Sequence, residues 1–210
     1  MAGPATASVR PGPGRPPTGA RERVLAAALE VLKRDGYAGL TTAKVAAASG
    51  QNKALIGYHF GSKQGLVAAV ARQVREQITR EVLGAIGEPD TCAELVRRLV
   101  AGVWRVMERD ERIQRVYFDL ASVSVIEPEV RAIMREMKEG FREVLRDLLL
   151  GLEDGPGRRG VEAATVYLIA GVEGLALERL DRGETPELAR ARRLFERSAA
   201  AAISGRPEAP

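Results

Sequence analysis

The stretch Thr41–Lys63, TTAKVAAASGQNKALIGYHFGSK, constrains this chain more than any other. Thr41 is placed to cap a short helix, because its hydroxyl accepts from the free amides of the first turn. Val45 and Ala46, with Ala47 and Ala48 behind them, give that helix a narrow apolar face suited to close packing. Gly50 stands where a left-handed residue ends a helix, and Asn52 is a natural cap for the next. The second helix keeps Leu55, Ile56 and Phe60 for burial. It leaves Gln51, Lys53, Ala54, Gly57, Tyr58 and His59 outside. Gly61, Ser62 and Lys63 then open a much longer helix. This is the layout of a helix-turn-helix.

The rest of the chain reads as all-α, with no alternating strand pattern. Arg21–Asp35 carries Val24, Leu25, Ala28, Val31 and Leu32 at helical offsets, with Gly36 as terminator and Thr18 as a plausible cap. Tyr37 and Leu40 plug the connection after it. Leu66, Val67, Val70, Val74, Ile78 and Val82 keep a helical period from Lys63 to Ile86, too long for the small unit alone, so this helix is shared with a larger helical domain. Further helices are expected at Thr91–Arg109, Glu111–Val123, Pro128–Leu150, Gly160–Arg182 and Pro186–Ile203. Pro128 and Pro186 fall in first turns, where a missing amide costs nothing. The organisation expected is a Pro/Gly-rich basic arm (1–20), a three-helix unit (21–68), the larger helical domain (69–204) and a short tail (205–210).

With 45% hydrophobic residues the chain has ample material for a core. No apolar stretch is expected to reach the roughly 18 residues of a membrane span, and the N-terminus lacks the apolar core of a secretory signal, which places the chain in the cytoplasm. Cys92 is the single cysteine, so no internal disulfide forms, and His59 is the single histidine, so a zinc site is excluded in practice. His59 has no polar partner of the kind catalysis needs, and no nucleophile motif or phosphate-binding glycine loop occurs. No catalytic residue, metal or cofactor is assigned. Charge is uneven: residues 1–70 hold nine Lys or Arg against three acids, and the remainder holds 23 against 25. A basic module joined to a near-neutral one points to a polyanion as partner of the first. On the arm, Arg10 and Arg15 lie in Pro/Gly context, and Gly14-Arg15-Pro16 is similar to arms that enter narrow DNA minor grooves; the competing reading is a solvated tail.

The run GLTTAKVAAASGQNKALIGYHFGSKQGLVAAV, after a capped helix ending in Gly36-Tyr37, closely resembles the DNA-binding region of the tetracycline-repressor (TetR) family. The resemblance is specific over about residues 21–70. It implies an all-helical homodimer whose N-terminal domains bind a palindromic double-stranded DNA operator and whose C-terminal domains dimerise and hold a small effector. By position it implies phosphate contacts from Thr42, Lys44 and Lys63, and a recognition surface of Gln51, Asn52, Lys53, Ala54, Gly57, Tyr58 and His59. Gln51 and Gly57 depart from the common family pattern. Gln51 is the residue suited to read a base, since a carboxamide pairs bidentately with adenine.

In the second half, Trp104, Met107, Tyr117, Phe118, Met134, Met137, Phe141 and Tyr167 gather the large or soft side chains, which suits either an apolar effector cavity or ordinary core. Glu173, with Asp119 and Glu127, adds negative charge for a cationic ligand. The small residues of Val161–Leu180 suggest close helix approach, and the resemblance implies a dimer contact there together with the preceding helix: Leu145, Leu148, Val166, Ile169, Ala170, Gly174 and Leu177. The competing function is a helical small-molecule-binding or interaction module without specific DNA binding.

Overall fold

A computed structural model describes residues 19–205, and within them every regular element is an α-helix. The order is α1 (Ala20–Gly39), α2 (Thr42–Ser49), α3 (Lys53–Phe60), α4 (Lys63–Ile86), α5 (Cys92–Val123), α6 (Pro128–Gly151), α7 (Gly157–Arg182) and α8 (Pro186–Ile203). The expected Thr18 cap and the arm residues Arg10 and Arg15 lie outside the described residues.

Local chemistry sets most of the boundaries. The side chains of Thr41, Asn52, Ser62, Thr91 and Thr185 each accept from the backbone amide three residues on, at 2.7–3.2 Å. Each satisfies an amide that the helix itself leaves free. Gly50 closes α2 in the left-handed region, φ 66°. The two helices expected on either side of Asp110 form one run, but Asp110 itself is extended (φ −157°, ψ 90°), so the ladder is interrupted where the expected break lies. Similarly, Gly36 leaves the helical conformation inside α1, with φ 68°.

α1, α2 and α3 form the small unit, closed by Val24, Ala28, Leu32, Leu40, Val45 and Ile56 against Leu66, Val67 and Val70 of α4, all buried. One apolar cluster then continues without a gap along α4 into the larger bundle of α5–α8. The shared long helix is therefore a structural fact: Leu66 and Val70 serve one end, Val82 and Ile86 the other. α4 and α5 approach most closely at Gly102, where a Cβ would stand 3.0 Å from the Val82 backbone and 3.1 Å from Ala85 Cβ. Cys92 is buried at the start of α5, its amide held by the Asp154 carboxylate at 2.8 Å. Burial first, then the Asp154 charge and hydrogen bond, push its thiol up to about 12, which fits a packing role for this cysteine.

One expectation is corrected. An 18-residue window of α7 is apolar enough in length and composition to cross a membrane, and only 33% of it is buried inside the subunit. The small residues of this helix raise its mean hydropathy without adding large side chains.

The Gly102 contact makes a paired test. Gly102→Ala forces a methyl between α4 and α5, an overpacking cost of about 1–3 kcal/mol. Gly84→Ala adds the same methyl where nothing lies within 4 Å, and gains up to about 1 kcal/mol of helix propensity. Urea denaturation should move the midpoint down for the first and leave it level or raise it for the second.

Candidate nucleic-acid interface and ligand cavity

α3 presents one face to solvent. Asn52, Lys53, Ala54, Gly57 and Tyr58 are exposed, Tyr58 at 72%, while Ile56 is buried and Leu55 and Phe60 are half-buried behind them. Of the expected surface, these five residues share that exposed face. A Cβ on Gly57 would meet nothing within 4 Å, so no packing inside the chain requires a glycine there. Thr42 is half-buried in the first turn of α2. Gln51 is turned back on its own loop: its amide nitrogen donates to the Ser49 carbonyl at 3.4 Å and its backbone N–H to Ser49 Oγ at 3.3 Å. His59 is half-buried, edge-on to Tyr58, and its Nε2 is buried without a partner among the described residues.

The flanking cations are also placed. Lys53 is exposed. Lys44 is paired with Asp35 at 2.8 Å, and Asp35 also takes Arg34 at 2.8 Å. Hydrogen bonds from Arg34 and Lys44 hold the Asp35 carboxyl well below the usual carboxylate range. Lys63 Nζ lies 4.3 Å over the Tyr37 ring and donates to the Tyr37 carbonyl at 3.4 Å. Both lysines are thus drawn back toward the end of α1. Arg21, not singled out by sequence, sits 5.4 Å over the Phe60 ring near the end of α3.

The small unit is clamped to the larger one through α1 and the second half of α5. Lys33, its side chain only 9% exposed, pairs with Asp110 at 2.9 Å, and Glu30 faces Arg112 at 3.8 Å. Left-handed Gly36 turns the chain so that the Tyr37 N–H donates to Asp119 Oδ2 at 2.5 Å. A Cβ at Gly36 would crowd that same oxygen at 3.2 Å. The Tyr37 hydroxyl donates to Glu127. Asp119 and Glu127 thus each accept from Tyr37, and neither lines the cavity between α4, α5, α6 and α7.

Between α4, α5, α6 and α7 lies a cavity of about 90 Å³. Of the side chains named from sequence, Tyr117, Met137, Phe141 and Glu173 line it. Trp104, Met107, Phe118, Met134 and Tyr167 do not. Met107 and Met134 are core. Trp104 is buried between Arg179 and Arg192, which lie 5.4 and 5.0 Å from its ring, and donates to Glu184 at 2.8 Å. Phe118 packs edge-on against Tyr117, and Tyr167 is 41% exposed against Phe195. Sequence reading missed Arg75, Gln114 and Lys138, because it looked for soft side chains and carboxylates and not for cations or amides. A signal existed: Arg75 shares the helical register of Ile78, Thr79 and Val82 on α4, and Gln114 precedes Tyr117 by one turn. Glu173 accepts from the Tyr117 hydroxyl and from Lys138 at 3.3 Å. Burial, then the Glu173 charge, drive the Tyr117 phenol strongly upward.

The residues expected at a dimer contact divide in two. Val166, Ala170, Gly174 and Leu177 make an exposed stripe along α7, with Val166 at 54% and Leu177 at 51%. Leu145 is fully buried inside the subunit, which corrects it, while Leu148 is half-buried against the core and Ile169 lines the cavity. α6 turns Leu145 and Leu149 inward and exposes Leu150 at 43%. The helix beside the stripe is α8, which exposes Leu194 at 58% and crosses α7 where a Cβ on Gly171 would collide with the Phe195 ring.

The Tyr37 clamp has a pH signature. Burial first, then the hydrogen bond and charge of Glu127, push the Tyr37 phenol from 10.0 up to about 12. A raised pKa on folding favours the neutral phenol, so its contribution is complete below pH 10 and is lost as the pH rises toward 12. Tyr37→Phe should cost about 1.5–3 kcal/mol near neutrality, the range for a hydrogen bond to a charged group. The gap between wild type and variant should close across that alkaline window in urea titrations, and a constant gap contradicts the bond.

Residues 24–70 match the model of bacterial regulatory proteins of the tetR family, and residues 92–204 match the C-terminal domain of BetI-type transcriptional repressors. The chain is 26% identical over 160 residues to the HTH-type transcriptional regulator CymR of Pseudomonas putida, covering 75% of this chain and 78% of that protein. It is 22% identical over 189 residues to the regulator BetI of Brucella canis, covering 90% and 94%. Among solved structures, the multidrug binding protein EbrR complexed with imidazole superposes with a TM-score of 0.67 at 24% identity, over 86% of this chain and 89% of that one. With the helix-turn-helix and the C-terminal bundle both matched, the chain belongs to the TetR family and is a helix-turn-helix transcriptional regulator.

Proposed function

We propose that this regulator works as a homodimeric, cytoplasmic repressor, without catalytic activity, that binds a palindromic operator and is released when a small molecule fills the cavity. The observation that carries the DNA contact is the exposed face of α3. Lys53, Ala54, Gly57 and Tyr58 are exposed, and Gly57 costs the helix up to about 1 kcal/mol with no packing return inside the chain. A glycine on an exposed helix face lets a base edge or sugar approach the backbone closely. Gln51 must leave Ser49 before it reads a base, so Lys53 and Tyr58 are the foremost contacts. Lys44 and Lys63 are shared with Asp35 and Tyr37, and Thr42 is left to meet backbone phosphate.

Support for the effector comes from where the cavity lies. Gln114 and Tyr117 line it from α5, and the same segment holds α1 through Asp110, Arg112 and Asp119. α4 bears Arg75, Ile78 and Val82 on the cavity and enters the DNA-binding unit at Lys63. A ligand that prefers a different seating of either helix shifts the two α3 helices, and its effect is bounded by its differential affinity for the two arrangements. EbrR, similar in fold, is a multidrug binding protein seen with imidazole. Dimerisation is assigned to the exposed stripe of α7 together with α8, an apolar surface whose burial a second copy supplies.

A gel shift on DNA upstream of the gene, run at two salt concentrations, tests the DNA reading, with a specific complex as the expected result. Lys53→Ala should weaken it and reduce the slope of log K against log salt by about 0.9 per lost phosphate contact; an unchanged slope removes Lys53 from the contact set. Sedimentation at micromolar concentration should give a dimer, and Leu177→Glu a monomer that no longer shifts DNA.

A further inference from the structure

The cavity's polar groups point to a ligand class. Three of its lining side chains are charged: Arg75, Lys138 and Glu173. Glu173 is already committed, accepting from the Tyr117 hydroxyl and from Lys138. Arg75 is half-buried, and among the described residues it makes no ion pair and no side-chain hydrogen bond. Its guanidinium lies beside α6, with the terminal nitrogen 3.6 Å from where a Cβ on Gly140 would stand. Arg142, one turn beyond Lys138, faces Glu139 at 3.8 Å and stands outside the lining. The lining itself carries two cations against one carboxylate, and is one anion short.

A second observation is independent of charge. Gln114 is 5% exposed, lines the same cavity, and its Oε1 is buried with no partner among the described residues. An unpaired buried amide is costly, and native interiors rarely keep one without a reason. Nothing fixes the amide's orientation, so a half-turn of its terminal torsion, which is broad for glutamine, offers the NH₂ in place of the oxygen.

On the reading of this cavity as the effector site, we propose that it selects a carboxylate on a compact apolar body. The acid meets the Arg75 fork and the Gln114 amide, while Ile78, Val82, Phe141 and Val172 enclose the rest. A guanidinium matches a carboxylate's two oxygens, and a charge-assisted pair shielded by apolar walls is stronger than the same pair in water. An ammonium ligand meets the uncompensated Arg75 and is disfavoured. Glu173 does not rescue it, being already held by Lys138 and Tyr117.

The test is calorimetry of the full chain with two matched sets: 3-phenylpropanoate, 3-phenylpropan-1-ol and 3-phenylpropylamine; hexanoate, hexan-1-ol and hexylamine. Each acid should bind at least about tenfold tighter than its alcohol, with the amine weakest. Arg75→Gln should bring acid and alcohol within about twofold of each other, and Arg75→Lys, which keeps the charge and loses the fork, should retain part of the preference. Gln114→Leu should weaken the acid while raising the melting temperature of the unliganded protein, a combination a merely structural glutamine does not give. The proposal is overturned if amines match the acids, if the acid-to-alcohol ratio survives in a folded Arg75→Gln, or if neither acid binds at about 1 mM. Acids that bind with this preference but leave operator affinity unchanged remove the effector reading and keep the site. A cation that releases the operator, with no preference for acids, does the reverse.

Discussion

The docking of α1 onto the second half of α5 is the constraint on which the rest of this structure depends. The three-helix unit closes a small core, and its position relative to the bundle is set by few contacts: Lys33 with Asp110, Tyr37 with Asp119 and Glu127, and the continuous α4. The polar contacts are partly buried, which separates them from ordinary surface pairs worth little in water. Gly36 makes them possible, because its left-handed turn aims the Tyr37 amide at Asp119 and a side chain there would crowd the acceptor oxygen. DNA reading is thereby tied to a segment that also walls the cavity.

That arrangement gives the Asp110 break a meaning beyond helix geometry. With its backbone extended at that residue, the stretch 111–123 need not move rigidly with the first half of α5. One face of the stretch carries Gln114 and Tyr117 into the cavity, and others carry Arg112 and Asp119 to α1. A change in how Gln114 and Tyr117 seat has a short physical route to the recognition helix, through packed side chains and hydrogen bonds.

Charge is distributed to suit both ends. The exposed face of α3 keeps Lys53 uncommitted, whereas Lys44 and Lys63 also serve the end of α1. The cavity shows the reverse pattern. Its one carboxylate is paired with Lys138 and Tyr117, whereas Arg75 has no ion-pair partner among the described residues.

The sequence by itself determined the helices, their caps and the exposed face of α3, because those depend on local rules: a hydroxyl or amide accepting three residues on, a glycine where φ is positive, an apolar stripe at helical spacing. Thr41, Asn52, Gly50 and the Asp110 break were legible for that reason, and the family's motif lies in the same local stretch. Only the tertiary structure decided which buried side chains line a cavity and which fill core, since Met107 and Met137 have the same chemistry and differ only in what faces them. It also decided that Leu145 points inward while Val166 and Leu177 remain bare, and that Asp119 and Glu127 answer Tyr37 across 82 and 90 residues of chain. Such pairings depend on how helices cross. No periodicity along a single chain encodes that directly.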